Sequence, residues 1–409
     1  MQTKFAANIL QTAYAADAES ILRKCVHCGF CNATCPTYQL LGDELDGPRG
    51  RIYQMKQFFE GAPANNEMQL HLDRCLSCRA CETTCPSGVR YSRLLEYGRE
   101  AIEAELPRSP WQQFKRWAIV RYINSGPVFS LSLGLAQAFR PLLPAALAKT
   151  IPMAQAAIER LPATHARKVI MLSGCVQPTL APNTNIYTSN LLNKLGIEVI
   201  ETQARQCCGA AAMHSSSQDY GREQARALID QWWPHVEAKG DASAEAILVT
   251  ASGCGVTVKD YAHLFADDPA YRDKAARISE LFCDLSEYLV QQFDRLEVTR
   301  PQSQRVAFHS PCSLQHGLKI NGLVESLLQK VGYELCSVQD AHLCCGSAGT
   351  YSLLQSELSQ QLRENKQRGL SVDQPEIIAT ANIGCQVHIQ QGINTPVVHW
   401  IELFGRAFV

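Results

Sequence analysis

The amino-acid sequence predicts an α+β protein of several domains: a mostly helical N-terminal domain, then two copies of one α/β domain. Three observations carry that prediction. The chain has 409 residues, enough for about two to four domains. A twelve-residue cysteine pattern occurs twice before residue 90, with helical periodicity around it. From residue 167 onward short apolar strands alternate with helical segments, and the series runs through twice.

Bulk composition narrows the class. Hydrophobic residues make up 46% and charged residues 19%, as in a globular protein with sizeable cores. Lys and Arg number 38 against 39 Asp and Glu, so no basic excess exists to neutralise phosphates, and nucleic acid is not an expected partner. Eighteen cysteines stand out. The opening MQTKFAANILQTAYAADAES lacks the apolar core of a secretion signal, so the cysteines are expected to be reduced and metal-bound, in the cytoplasm.

Residues 1–108 form the first expected domain. CVHCGFCNATCP (25–36) and CLSCRACETTCP (75–86) share the spacing C-x2-C-x2-C-x3-C-P. Zinc sites more often use two separated C-x2-C pairs. Three thiolates at intervals of three instead wrap one corner of a cubane, and the fourth, beside Pro, reaches the other cluster. Cys25, Cys28, Cys31 and Cys85 are therefore expected to hold one [4Fe–4S] cluster, and Cys75, Cys78, Cys81 and Cys35 the other. Between the motifs a loop at Asp43–Pro48 precedes a helix expected over 50–59, and 89–106 reads as a second amphipathic helix. Arg49 and Arg51 fall close to the presumed clusters, either as cations favouring reduction or as ordinary surface arginines.

Residues 109–166 read as a helical connector. Its uncharged stretch YINSGPVFSLSLGLAQAF (122–139) is interrupted by Asn124, Ser125, Gly126, Pro127 and Gln137, which argues against a transmembrane helix. The expectation is a buried helix between domains, with an interfacial or partner-docking segment as the alternative.

The α/β copies are expected at 167–299 and 300–409. In the first, KVIMLSGC ends at Cys175, RQCCG supplies Cys207 and Cys208, and AILVTASGC ends at Cys254. In the second, RVAFHSPC ends at Cys312, HLCCG supplies Cys344 and Cys345, and EIIATANIGC ends at Cys385. In both, 31 residues separate the first cysteine from the Cys-Cys pair. Strands ending in cysteine place thiols at the carboxyl edge of a parallel sheet, where open α/β folds bind ligands. Adjacent cysteines have Cα atoms about 3.8 Å apart, closer than the roughly 4.4–6.8 Å of unstrained disulfides, so a metal site is the better expectation. Four thiolates suit zinc or a small cluster, and His388, three residues after Cys385, is a further candidate ligand where the first copy has Thr257. His309, His316 and His342 are either packing residues or ligands.

These motifs, in this order, resemble the iron–sulfur subunits of flavin-linked oxidoreductases. That group includes the subunits serving glycolate oxidation, anaerobic glycerol-3-phosphate dehydrogenation and lactate utilisation, and its CCG domains are similar to a heterodisulfide reductase subunit. TYQLLGDELDGPRGRIYQMK, HLDRCLSCRACETTCPSGVRY and LCCGSAGTYSL most resemble the glycolate branch. The resemblance implies a two-cluster ferredoxin domain followed by two CCG domains. It implies a partner with FAD-containing flavoprotein subunits that oxidises glycolate to glyoxylate, or D-lactate. This chain would then relay electrons toward membrane quinone, peripheral on the cytoplasmic face of the inner membrane. No G-x-G-x-x-G follows a strand, so no flavin and no catalytic residue is expected on this chain. One departure stands out: cluster-binding CCG domains end in C-x-x-C, and here Thr257 and His388 occupy the last cysteine's places. A catalytic subunit using a CCG-bound cluster is the runner-up reading, and a zinc- and cluster-containing scaffold the third.

Overall fold

The computed structural model describes residues 1–144, 148, 150–162, 164–202 and 207–408. Residues 145–147, 149 and 163 of the expected connector, and 203–206 ahead of the first Cys-Cys pair, lie outside them.

Through residue 142 the described chain is helical. The helix expected at 50–59 runs Pro48–Phe59, opened by a proline whose missing N–H would have had no intrahelical partner. Its buried Ile52, Met55, Phe58 and Phe59 share one apolar core with Leu94, Leu95 and Ile102 of helix Tyr91–Glu105, the second expected helix. Cys25 and Cys81 belong to the same core, so the motifs sit on packed side chains rather than on a free loop.

The remainder builds two parallel sheets. The first contains β1 (Arg167–Leu172), β2 (Ile197–Ile200), β3 (Ala246–Val249) and β4 (Phe282–Asp284), in the order β2-β1-β3-β4. The second contains β5 (Arg305–His309), β6 (Glu334–Leu335), β7 (Ile377–Thr380) and β8 (Val397–His399), in the order β6-β5-β7-β8. Every pairing is parallel, and β3 and β7 are buried along their whole length, as strands covered on both faces must be. The duplication is thus one of topology as well as of motif. The chain is α+β, with a helical ferredoxin-like region and duplicated α/β units.

The two sheets are not separate beads. One apolar cluster takes Val169 and Leu248 from the first sheet, Val306 and Ala379 from the second, and Trp400 and Phe404 from the last helix, Trp400–Arg406. His399, at the end of β8, donates through Nε2 to the Thr250 carbonyl at 2.7 Å.

The expectation of a buried interdomain helix at 122–139 is overturned. Helices Pro110–Asn124 and Gly126–Phe139 pack on each other, with the Tyr122 ring edge-on to Phe129 and its hydroxyl 2.6 Å from Ser132 Oγ. Trp111, Phe114, Trp117, Val128, Leu131, Leu135 and Phe139 are nonetheless exposed, Trp111 by 70% and Leu131 by 67%. An uncharged composition predicted burial; these side chains stay exposed among the described residues. Among the described residues no helix is long and apolar enough to cross a membrane.

Candidate metal centres

Each N-terminal motif is wound by left-handed residues at equivalent places. His27 and Gly29 have φ of 57° and 86°, and Ser77 and Arg79 have 52° and 60°. Left-handed turns after the first and second cysteines curl each loop around its own thiols, at a cost for the three non-glycine residues that the bound state must offset. Two cavities result. One is lined by Cys25, Cys28 and Cys31 and, from the other motif, Cys81 and Cys85. The second is lined by Cys75, Cys78 and Cys81 and, from the first motif, Cys35. The fourth cysteine of each motif therefore faces the other motif's cavity, while Cys81 borders both.

The surroundings suit an iron–sulfur cluster. Burial, then the Cys25 thiol, pushes Cys31 up to about 11, and burial, then Cys312, pushes Cys78 up. Thiols crowded this way stay protonated until a metal cation replaces the protons. The second cavity also carries a built-in cation. Arg51 is buried, with Nη1 4.0 Å from Cys35 Sγ, Nε donating to the His71 carbonyl at 2.7 Å and Nη2 to Thr37 Oγ1 at 3.1 Å. Arg49, by contrast, is half exposed, binding Glu44 at 2.6 Å and the His27 carbonyl at 3.5 Å.

Asp46 holds this frame together. Its carboxylate meets Arg51 at 3.4 Å, Arg74 at 2.8 Å and His71 Nδ1 at 3.0 Å. Asp43 lies beside Asp46 and His71, but two guanidinium groups already satisfy Asp46, so the group is an ion-pair network rather than a cation site.

In the α/β repeats, β1 and β5 end three residues before Cys175 and Cys312, while β3 and β7 end five residues before Cys254 and Cys385. Because each pair of strands is adjacent and parallel, the thiols meet at one edge. In the first repeat Cys207 lies close enough to Cys175 and Cys208, and Cys208 to Cys254, for the thiols to shift one another's ionisation. In the second, Cys312 donates to Cys344 across 3.7 Å, and the Cys345 thiol is influenced by those of Cys344 and Cys385. The glycine after each pair is obligatory. Gly209 and Gly346 have φ of 89° and 88°, and a Cβ would lie 2.4 Å from the Gly221 carbonyl oxygen and 2.7 Å from that of Ser359.

The histidines divide. His388 is buried, but its Nε2 faces Ser359 Oγ at 3.3 Å and the Ser359 carbonyl at 3.4 Å. His309 joins Cys345 and Cys385, with ligand atoms all within 4.8 Å of one another. His316 sits on a π-helical turn, Ser313–Leu318, with Nδ1 2.8 Å from Thr83 Oγ1 and Nε2 2.8 Å from the His342 carbonyl.

That Thr83–His316 contact belongs to a seam no motif announces. Cys78 and Cys312 both pack against a cluster of Leu76, Cys344, Tyr351 and Leu362, so the second N-terminal cavity adjoins the second repeat's thiols. Arg79 pairs with Asp260 of the first repeat at 2.5 Å. At the opposite end, Cys28, Val26 and Phe30 on the first cavity are exposed.

Comparison with known proteins agrees with this layout. Residues 21–89 match the model of the 4Fe-4S dicluster domain, and residues 169–259 and 306–390 each match that of a cysteine-rich domain. The chain is 48% identical over 409 residues to the glycolate oxidase iron-sulfur subunit of Escherichia coli, covering 100% of this chain and 99% of that protein. It is 30% identical over 405 residues to a probable glycolate oxidase iron-sulfur subunit of Bacillus subtilis, covering 92% and 90%. Lactate utilization protein A of Bacillus licheniformis is 27% identical over 244 residues, 58% of this chain and 99% of that protein.

Proposed function

The chain belongs to the family of glycolate oxidase iron–sulfur subunits, and from that premise we propose that it is the electron-transfer subunit of a flavin-dependent 2-hydroxy-acid oxidase. Its partners are FAD-containing subunits that oxidise glycolate to glyoxylate, or D-lactate, and its acceptor side leads to membrane quinone. Two [4Fe–4S] clusters, one held by Cys25, Cys28, Cys31 and Cys85 and the other by Cys75, Cys78, Cys81 and Cys35, supply one-electron redox chemistry when bound. The cysteines of the two repeats add further metal ligands. This chain's residues divide the remaining work. Cys28, Val26 and Phe30 expose one end of the relay to a partner, and Cys78 carries the other end against Cys312 and Cys344. That serial arrangement is the observation supporting a relay most strongly.

Peripheral attachment to the inner membrane is supported by the helical hairpin 110–139. Between Glu105 and Glu159 there is no acidic residue, against six Lys and Arg. Exposed Trp111, Phe114 and Trp117 follow one another along one helix, and Val128, Leu131, Leu135 and Phe139 stripe the next. Arg108 and Arg116 turn inward onto Asp73, and the aromatic and aliphatic side chains beside exposed Lys115 and Arg121 fit an anionic bilayer surface.

Reconstitution tests the relay. The isolated chain is expected to oxidise neither glycolate nor D-lactate, and turnover with a quinone analogue to appear only with the flavoprotein subunits. Oxidation by the isolated chain would overturn the reading.

A further inference from the structure

The carboxyl ends of β5 and β7 bring together a donor set that the C-x-x-C pattern does not anticipate. His309 closes β5 and is only 2% exposed. Its Nδ1 lies 2.9 Å from Oγ1 of Thr380, its neighbour in the register of β5 and β7. Nε2 is buried and, among the described residues, has no hydrogen-bond partner. Leaving such an atom unpaired is costly, and a bound cation would offset that cost. Beside the ring are Cys345 and Cys385, their sulfurs within 4.8 Å of one of its nitrogens. Cys344 follows, and Cys312 lies 3.7 Å beyond.

We propose that His309 completes a metal centre in the second repeat, with Cys345 and Cys385 beside it and Cys344 and Cys312 adjoining, for a borderline-soft transition metal, iron or zinc. Thiolate and imidazole donors select those metals. The Thr380 hydroxyl fixes the ring through its other nitrogen, as the outer partners of metal-bound histidines do. His309 thus takes the donor role left open by the missing final cysteine. His388 holds that cysteine's place in the sequence but turns its ring to Ser359. Lys366, buried nearby and donating to the Asp340 carbonyl at 2.6 Å, adds a positive charge that counters the thiolates.

Among the described residues no histidine of the first repeat takes the place of His309. Leu172 stands three residues before Cys175 as His309 does before Cys312, and Thr257 donates to the Gly253 carbonyl at 3.3 Å. His214 is near enough to act on the Cys208 charge, but the described residues bring no imidazole of that repeat together with two of its thiols as His309 is with Cys345 and Cys385. The inference rests on the electron-transfer reading only for its interest in iron; the donor set comes from the geometry.

The test uses the full chain, purified anaerobically, with iron and zinc measured per chain. Parent protein should carry metal beyond that of the two N-terminal clusters. His309→Ala should lose at least the second repeat's share while the N-terminal clusters keep their EPR signals. His309→Cys and His388→Ala should both retain it. Cobalt(II) loaded into the parent should show thiolate charge-transfer bands and nitrogen hyperfine coupling from a bound imidazole, a readout independent of how any variant folds. The proposal is overturned if the parent holds no metal beyond the N-terminal clusters, if His309→Ala retains the parent's full content, or if the nitrogen coupling is absent. A chain without the extra metal that still supports turnover with its flavoprotein partners would remove this inference and leave the relay standing.

Discussion

Replacing Asp46 with Asn removes one negative charge from a site where both that carboxylate and Arg51 are fully enclosed, at 0% and 1% side-chain exposure. Asn keeps the shape, but its amide nitrogen would face a guanidinium donor. Arg51 would retain the His71 carbonyl at 2.7 Å and Thr37 at 3.1 Å, yet no protein carboxylate. Removing one partner of a buried ion pair costs about 3–5 kcal/mol. Arg74 is 27% exposed and can turn to water, so the lower part of that range applies, about 3 kcal/mol. For a domain of this size each kcal/mol moves the melting midpoint by roughly 4–8 °C. Thermal bleaching of the cluster absorbance should therefore begin roughly 12–24 °C lower in Asp46→Asn. The control is Glu19→Gln, which loses an exposed i,i+4 pair with Arg23 and about 0.3–0.5 kcal/mol. A bleaching midpoint for Asp46→Asn indistinguishable from that of Glu19→Gln would refute the claim that Asp46 anchors this frame.

Other outcomes follow from the same geometry. Cys85→Ser should perturb the cluster at Cys25, Cys28 and Cys31; an EPR change confined to the Cys75, Cys78 and Cys81 cluster would contradict the crossed arrangement. Burial holds His399 down at about 4, below its ordinary value of 6.5. The unfolded chain therefore takes up this proton first, so the contribution of the neutral ring is complete above about pH 6.5 and is lost as pH falls toward 4, on the order of 3 kcal/mol in all. His399→Gln should flatten that part of the denaturation-midpoint profile, and an unchanged acid slope would argue against it. The parent should float with phosphatidylglycerol vesicles and far less with phosphatidylcholine, and Trp111→Ser, Trp117→Ser and Leu131→Gln combined should weaken binding at least about tenfold. No vesicle binding, or a triple variant that dimerises less but binds lipid equally, would assign that face to something other than a membrane.

What could be read from the sequence was what is local. A spacing of three between cysteines fixes how a loop can wrap, and an apolar run leading into Gly-Cys or Pro-Cys marks a parallel strand, although the strands stop three to five residues before the cysteine. The doubled topology followed from those signals. The seam between Cys78 and Cys312 did not, because residues more than two hundred positions apart meet there through packing alone. Nor did the shared core of the two sheets, in which the C-terminal Phe404 sits with Val169. The stretch at 122–139 is exposed where burial is expected, because composition reports how apolar a segment is, and only the fold reports whether anything lies over it. His388 and His309 show the same limit at the scale of one ring. Counting three residues from Cys385 locates His388 in the pattern but cannot reveal that Ser359 takes its nitrogen, while His309, three residues before Cys312, was visible only as one histidine among several near the thiols.

The relay itself is tested most directly by following this chain's clusters during a single encounter with reduced partner. Anaerobic, oxidised chain is mixed with FAD-containing subunits and glycolate, and visible bleaching is recorded together with freeze-quenched EPR. The account predicts bleaching and the spectra of reduced [4Fe–4S] clusters only when glycolate and flavoprotein are both present, with loss of the reduced signal when a quinone analogue is then added. Clusters that stay oxidised while the flavoprotein turns over, or that are reduced by glycolate without it, would contradict the account.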